Sequence, residues 1–247
     1  MTVFTSAEGR PIHYPADSTK FVFDGEVAEI FPDMARRSIP LFYETHDLHA
    51  GLAMPWRITE VPVRILDVGA SRGAFLKALD ARLPIAGEDA VAMDISKPMM
   101  DLLSKELPTV EVIVGDITLA TEHDLIEPES VDILNCTYVL QFIPERMQVP
   151  VLKAMCSWLR PGGVMFLGQK FTVLGPVGHA LHEQYIEFRL ANGYTMEEII
   201  AKTEALKNSM WPMPDGLLRH YVKSQGFEVT ETSRWGVFNN YMCIKGM

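Results

Sequence analysis

Only three of the 247 residues are cysteine: Cys136, Cys156 and Cys243. They are odd in number and show no Cys-x-x-Cys spacing, which argues against a disulfide framework or a zinc site and points to a reducing cytoplasm. Positive charge is also scarce, with 22 Lys plus Arg against 32 Asp plus Glu and a net charge of −10. A broad grip on duplex nucleic acid depends on neutralising phosphates, so direct duplex binding is not expected. No run approaches the ~20 apolar residues of a membrane span. Residues 1–10 lack the apolar stretch of a secretory leader, so none is expected. What is present is a hydrophobic content of 48%. A chain this long buries roughly 70–75% of the surface its unfolded form exposes. These bounds describe a cytoplasmic enzyme or binding module with a small-molecule ligand.

Residues 1–60 mix Pro, His and acids and read as a lid segment that packs over something else. An amphipathic stretch, Val27 to Phe42, is expected to break at Pro32 and Pro40. From 61 to 247 the character is that of one larger domain, with short apolar runs alternating with helical patterns. Val63–Val68, Val91–Asp94, Val110–Val114, Val131–Cys136 and Val164–Leu167 read as strands. Helical patterns cover Gly73–Leu83, Lys97–Leu107 and Glu145–Leu159, the second with Ser96 and Pro98 in cap and first-turn positions. Arg160-Pro161-Gly162-Gly163 reads as a stop and turn. Residues 178–208 read as helical with a break at Ala191–Tyr194, and a last helix covers about 215–225. Two adjacent terminal strands, from Phe227 and Val237, suggest an antiparallel hairpin. The pattern predicts an α/β fold with a mostly parallel, Rossmann-like sheet and helices on both faces.

In such a sheet, ligands bind at the carboxyl ends of the strands. The first core strand ends in Asp67-Val68-Gly69-Ala70-Ser71-Arg72-Gly73, and its glycines let backbone N–H groups approach a ligand. The second ends in Asp94-Ile95, at the rough spacing where an acid accepts bonds from a ribose diol. The third runs into Gly115-Asp116-Ile117, and Asp116 suits an adenine amino group. The fourth carries Asn135. Asp67 can pair with an ammonium or order a water. Any one of these has a plain structural reading; together at four strand ends they predict a nucleotide-like cofactor site.

The glycine spacing departs from the dinucleotide fingerprint Gly-x-Gly-x-x-Gly. It resembles the Asp-x-Gly-x-Gly-x-Gly loop of class I S-adenosyl-L-methionine (SAM)-dependent methyltransferases, with Ser71 in the middle glycine's place. Leu159-Arg160-Pro161-Gly162-Gly163 and the paired terminal strands resemble the same family, over about residues 60–245. The resemblance implies a seven-stranded sheet. It also implies that Gly69, Ala70 and Ser71 hold the methionine part, Asp94 and Ile95 the ribose side, and Asp116 with Ile117 the adenine.

The flanks narrow the likeness. Phe23-Asp24, Val27-Ala28-Glu29-Ile30-Phe31-Pro32-Asp33-Met34 and Arg37-Ser38-Ile39-Pro40 resemble the N-terminal lid of carboxy-SAM synthases. So do Leu140-Gln141-Phe142-Ile143, Lys170-Phe171 and Arg189-Leu190-Ala191-Asn192-Gly193-Tyr194. Those enzymes make carboxy-SAM from SAM and prephenate for a tRNA wobble-uridine modification. The resemblance implies that Phe42 or Tyr43 closes over the cofactor, that Asn135 lines the site, and that the chain forms a homodimer. One position departs: where the family carries a carboxylate-binding arginine after a lysine, this chain has Lys202-Thr203, and a hydroxyl lacks the charged fork of a guanidinium, so Lys202, Lys170 or Arg189 would have to compensate.

The reading is a SAM-dependent transferase, with methyl transfer to a small acceptor in a lidded pocket as the first expectation and carboxy-SAM synthesis as the alternative. SAM, S-adenosylhomocysteine (SAH) or carboxy-SAM would be bound. Tyr43, His179, His182 and Tyr185 are the candidate catalytic groups, with His46, Glu183 and Trp211 also plausible at the pocket. His179 and His182 lie three apart on a predicted helix without a third ligand, so no metal is expected. A remote alternative takes Gly69-Ala70-Ser71-Arg72-Gly73 as the Gly-x-Ser-x-Gly elbow of a serine hydrolase. Ser71 would then be the nucleophile, and Asp132 with His179, His182 or His220 its partners.

Overall fold

The computed structural model describes residues 3–5, 11–13, 23–58, 61–85, 89–119 and 126–247. Near the amino end, β1 (Val3–Thr5) and β2 (Pro11–His13) form an antiparallel pair. Two helices follow, α1 (Gly25–Ser38) and α2 (Phe42–Arg57). The remainder alternates: β3 (Arg64–Val68), α3 (Ala74–Arg82), β4 (Asp89–Asp94), α4 (Lys97–Glu106), β5 (Glu111–Val114), β6 (Val131–Thr137), α5 (Glu145–Trp158) and β7 (Leu159–Lys170). Then come α6 (Gly175–Ala191), α7 (Met196–Leu206), α8 (Asp215–Ser224), β8 (Phe227–Trp235) and β9 (Phe238–Lys245).

The large sheet has seven strands in the order β5-β4-β3-β6-β7-β9-β8. Strands β3 to β7 pair in parallel, while β9 runs antiparallel to both β7 and β8. The topology switches between β3 and β6, which is where an open α/β sheet offers a crevice. All seven residues of β6 are buried, as expected of a central strand covered on both faces. One apolar layer, including Leu152, Met155 and Leu218, fills the α5 and α8 side; another, including Phe75, Leu76 and Leu103, fills the α3 and α4 side. A third, smaller cluster joins Ala35 and Phe42 of the lid to Tyr138, Tyr185 and Phe238.

Three expectations are corrected. Arg160–Gly163 is no separate turn: α5 passes straight into β7, because Leu159 already pairs with Val131 and the next four residues bulge before Val164 resumes pairing with Ile133. The lid contains a second long helix, α2, that the mixed composition of residues 1–60 did not suggest. Finally, Pro40 does separate the two helices, with Leu41 at φ 56°, but Pro32 sits inside an unbroken α1.

The reason α1 survives Pro32 is specific. A helical proline removes the N–H that would serve the carbonyl four residues back, here Ala28 O. That carbonyl accepts from Arg72 Nη1 at 3.1 Å instead. Arg72 lies between the glycines of the β3–α3 loop, and its other nitrogen, Nη2, pairs with Glu106 at the end of α4. One guanidinium therefore ties the lid, the loop and α4 together. Replacing Arg72 with Ala is expected to loosen α1 by about 1.5–3 kcal/mol, the usual cost of losing a hydrogen bond to a charged group. Native-state hydrogen exchange should then speed up roughly ten- to a hundredfold in α1 and stay unchanged in β3 and β6. Equal acceleration in the sheet would contradict this role.

Candidate functional site

The β3–α3 loop crosses the left-handed region three times, at Gly69 (φ 65°), Ser71 (φ 51°) and Gly73 (φ 69°). Two devices hold it there. Gly69 and Ala70 donate their N–H groups to Met93 O at 2.7 and 3.0 Å. Asp94 at the end of β4 accepts from Ser71 N at 2.9 Å through Oδ2 and from Ser96 N at 2.8 Å through Oδ1. Burial raises the Asp94 pKa, and the backbone donors of Ser96, Ser71 and Ile95 oppose that. Asp94 thus staples the loop to its neighbouring strand while still lining the cavity.

Asp67, one step deeper on β3, is 2% exposed. Its Oδ1 accepts from Asn135 Nδ2 at 2.7 Å, and Thr137 Oγ1 donates to Asn135 Oδ1 at 2.7 Å, which fixes the direction of that amide. Burial raises Asp67 to about 7, helped by the Asp94 charge and opposed by Asn135. Behind it His49 stacks on Phe166 at 4.8 Å and is held neutral, lowered to about 4 by burial. Asp116, past β5, accepts at Oδ1 from Thr118 N (2.9 Å) and Oγ1 (2.8 Å), and its Oδ2 has no partner among the described residues.

Asp67, Asp94, Asp116, Asn135 and Thr137 open into one cavity of about 630 Å³, inside the roughly 300–1,000 Å³ common for small-ligand sites. The predicted cofactor residues Phe42, Asp67, Gly69, Ala70, Ser71, Asp94, Ile95, Asp116, Ile117 and Asn135 all line it. Its roof is the lid: Phe31, Ala35 and Ser38 from α1, and Phe42, Tyr43 and His46 from α2. Phe42 stacks over Tyr138 with ring centroids 6.0 Å apart.

The candidate catalytic residues divide. Tyr43 lines the cavity and donates to Pro32 O at 3.3 Å. Burial raises its pKa against the lowering effect of Arg36 and Arg72, so it stays a phenol rather than a base. Tyr185 also lines the cavity, but its hydroxyl donates to Ser38 O at 2.8 Å, and burial pushes it to about 12. His179 and His182 are not brought in: both lie on the exposed side of α6, outside the cavity wall, as does Glu183. Trp211 is absent from the wall too. His46 does line it, lowered to about 3 by burial and by His49.

The hydrolase alternative loses its geometry. Asp132 sits at the amino end of β6, accepting from Arg64 N at 2.7 Å and pairing with Arg160, at the opposite end of the sheet from Ser71. His179, His182 and His220 are exposed on helices and none of them lines the cavity with Ser71.

Sequence reasoning assigned no role to Tyr138 and offered Lys170 only as one of three cations, with Lys202 and Arg189, that could stand in for the absent arginine. Tyr138 adopts φ 65° just past β6, a conformation no sequence pattern announces in a tyrosine. Lys170 had a usable signal. It is the residue at the carboxyl end of β7, but the strand runs three residues beyond Leu167, where the apolar run stops.

The residues fit an adenosyl sulfonium: a carboxylate at β4 for a diol, one at β5 for an amine, apolar Ile95 and Ile117 beside them, and a buried carboxylate at β3 for an ammonium. When bound, such a cofactor supplies an electrophilic, sulfur-bound methyl group. Fold and site together define a class I SAM-dependent methyltransferase. A methyltransferase-domain family model matches residues 65–163. The CurJ carbon methyltransferase superposes with a TM-score of 0.64 at 12% identity, over 89% of this chain and 59% of that one. A SAM-dependent methyltransferase structure from Methanococcus maripaludis gives 0.59 at 16% identity, over 94% and 97%. Magnesium protoporphyrin IX methyltransferase from Synechocystis, solved with bound SAH, gives 0.58 at 12% identity over 86% and 87%.

Sequence relatives are more particular. The carboxy-S-adenosyl-L-methionine synthase of Aeromonas salmonicida is 32% identical over 225 residues, 87% of this chain and 86% of that protein. The synthase of Ectopseudomonas mendocina is 34% identical over 216 residues, 83% of each. The chain belongs to the carboxy-SAM synthase family, and it is an enzyme of the SAM-dependent transferase class.

Two predictions test the site. In Gly69→Ala a Cβ would collide with Val139 Cγ2 at a positive φ. That substitution should cost about 1–3 kcal/mol from backbone strain alone and weaken SAH binding. Gly51→Ala in α2, where the nearest atom is 3.6 Å away, should be neutral or stabilising. Thermal unfolding with and without SAH checks both. The second concerns pH. Because Asp67 is raised from 3.8 to about 7, the free protein gains stability as pH falls through that range. A ligand ammonium needs the ionised form. Calorimetric affinity for SAH should therefore fall by up to about tenfold per unit as pH drops below 7, and Asp67→Asn should remove that slope.

Proposed function

We propose that this enzyme acts on a small second substrate held beside SAM in the lidded cavity, and that the reaction is formation of carboxy-SAM. The carrying observation is enclosure. Side chains from α1, α2, α7 and the β7 and β9 ends wrap a single chamber, which suits a small molecule rather than a polymer. Support for the carboxy-SAM product comes from relatives bearing that name that match over most of the chain.

Carboxy-SAM differs from SAM by one carboxylate on the sulfonium methyl carbon. With prephenate as donor, its ring C–carboxylate and C–OH bonds would break to give phenylpyruvate, CO₂ and hydroxide; the sulfonium methyl would lose one C–H proton and gain a C–C bond to that CO₂, and the proton and hydroxide would leave as water. The protein's share is to hold both partners dry and aligned. Phe42 and Tyr43 of the lid would exclude water, and Asp67 would orient the amino-acid end. This reading treats residues 1–60 as the lid segment and 61–247 as the transferase domain. It also takes the protein to be cytoplasmic and a homodimer, without direct duplex nucleic-acid contact, in keeping with its acidic charge.

A second reading, methyl transfer to a small acceptor, is favoured by Thr203. That residue is exposed, its hydroxyl donates to Ile199 O at 2.7 Å, and it does not line the cavity. The position where the family resemblance expects a carboxylate-binding arginine therefore presents no cation. Incubation with SAM and prephenate, read by mass spectrometry, separates the two. A SAM adduct heavier by one CO₂ is expected. Accumulation of SAH with an acceptor, and no such adduct, would establish methyl transfer instead.

A further inference from the structure

His49 holds a place in the structure that packing alone does not explain. It is fully buried on α2 (0% exposed) and does not line the cavity. An apolar side chain stacked on Phe166 would fill that space without burying two polar nitrogens. Those nitrogens belong to a row of four hydrogen bonds. Thr232 Oγ1 lies 3.4 Å from His49 Nε2, and Thr137 Oγ1 lies 3.4 Å from His49 Nδ1. Thr137 Oγ1 is 2.7 Å from Asn135 Oδ1, and Asn135 Nδ2 is 2.7 Å from Asp67 Oδ1. The row runs from β8 through α2 and β6 to the β3 carboxylate in the cavity wall.

The direction of every bond follows from the last one. A carboxylate only accepts, so Asn135 turns its amide N–H to Asp67 and its carbonyl to Thr137. Thr137 donates its single proton to that carbonyl and can only accept from His49. His49 therefore carries its proton on Nδ1, and Nε2 accepts from Thr232. A histidine kept for packing could hold either tautomer; here one alone completes the row. The backbone is shaped to supply its first member. Strands β8 and β9 slip register between Glu231 and Ser233, so two consecutive side chains face the α2 side. Thr232 reaches His49, while Ser233 meets Asn240, whose amide also reaches Thr45 of α2.

We propose that His49 is a positioning residue for Asp67: through Thr137 it fixes the Asn135 amide that faces this carboxylate, and so sets how strongly the site holds the ammonium of the cofactor's amino-acid end. This rests on the SAM-dependent reading above and deepens it, since it names what tunes that site. The row is no proton wire, because an amide does not hand a proton on; it acts as a line of aligned dipoles. His49 suits that role. Burial lowers it to about 4, so it is neutral where Asp67, at about 7, titrates. The neighbouring titratable groups are Asp94 of β4, which raises Asp67, and two that stay neutral: the Cys136 thiol of β6, pushed up by burial, and His46 of α2, lowered to about 3. Phe166 of β7 and Thr232 of β8 bring no charge. Without the Nδ1–H donor, the Thr137 hydroxyl is free to rotate and Asn135 to turn its carbonyl toward Asp67, which favours the protonated acid.

The test takes three readings on the full chain. Nitrogen-15 NMR reports the His49 tautomer, carbon-13 NMR follows the Asp67 carboxyl in ligand-free protein, and calorimetry follows SAH affinity against pH. The wild type should carry its proton on Nδ1. In His49→Leu, the Asp67 midpoint and the pH at which SAH affinity falls should both move up by roughly half to one unit, the equivalent of one neutral hydrogen bond. Well above both midpoints, the affinity should match the wild type. An asparagine can place a donor where Nδ1 stands, so His49→Asn should bring both midpoints back. A merely structural histidine would lower the melting temperature and leave the midpoints in place. That result, or a proton found on Nε2, would overturn the proposal. If His49→Leu does not fold, Thr137→Val breaks the row one link closer to Asp67, and unchanged midpoints there would overturn it equally. Failure of the wild type to bind SAH at any pH would instead sink the cofactor reading, while the tautomer and the ligand-free Asp67 titration would still judge the row.

Discussion

A short loop that passes three times through positive φ is the constraint on which this molecule is built. Ser71, a non-glycine residue in that conformation, stays there because Asp94 accepts its N–H and the neighbouring N–H groups are taken by Met93. The loop is thus shaped by the next strand over, and the same carboxylate that shapes it forms part of the cavity wall. Fold and site are one network at this point. Nothing in the loop can change its backbone without disturbing an acid that a ligand would also need.

Much of this was legible in the residues. The alternation of short apolar runs with helical patterns gave the parallel sheet, and asking what stands at each strand's carboxyl end found Asp67, Gly69, Asp94, Asp116 and Asn135 together. That question works because position at a strand end is a one-dimensional property. What failed depends on three dimensions. His179 and His182 share a helix face, but nothing local says which face a helix turns to the interior, and here it is Tyr185 and Arg189 that are buried. The second lid helix was hidden by its two internal histidines and its proline. Pro32 was read by intrinsic propensity, which a distant side chain overrode. Lys170 was weighed only through the family resemblance and not found at a strand end, because apolar content stops before β7 does.

The cavity has two chemically unlike ends. Around β3 to β5 it offers the carboxylates Asp67, Asp94 and Asp116, with the cations Arg72 and Lys77 there both paired to Glu106; around β7 and α7 it offers Lys170 and Lys202, with no carboxylate paired to either among the described residues. His46, on the cavity wall, is held neutral by burial and adds charge to neither end. This polarity lies along the sheet and not across it. It follows the strand order, so it is set by the chain's topology as much as by the choice of residues.

The proline inside α1 has a consequence for how the protein assembles. A lone helix with an interior proline is disfavoured by about 3 kcal/mol relative to alanine, so α1 has little reason to persist before its carbonyl at Ala28 finds a donor. That donor is Arg72, distant in sequence and presented only once the β3–α3 loop has formed. The roof is therefore expected to set late in folding, after the floor beneath it exists. A chain arrested before that step would have a finished sheet and no enclosed chamber.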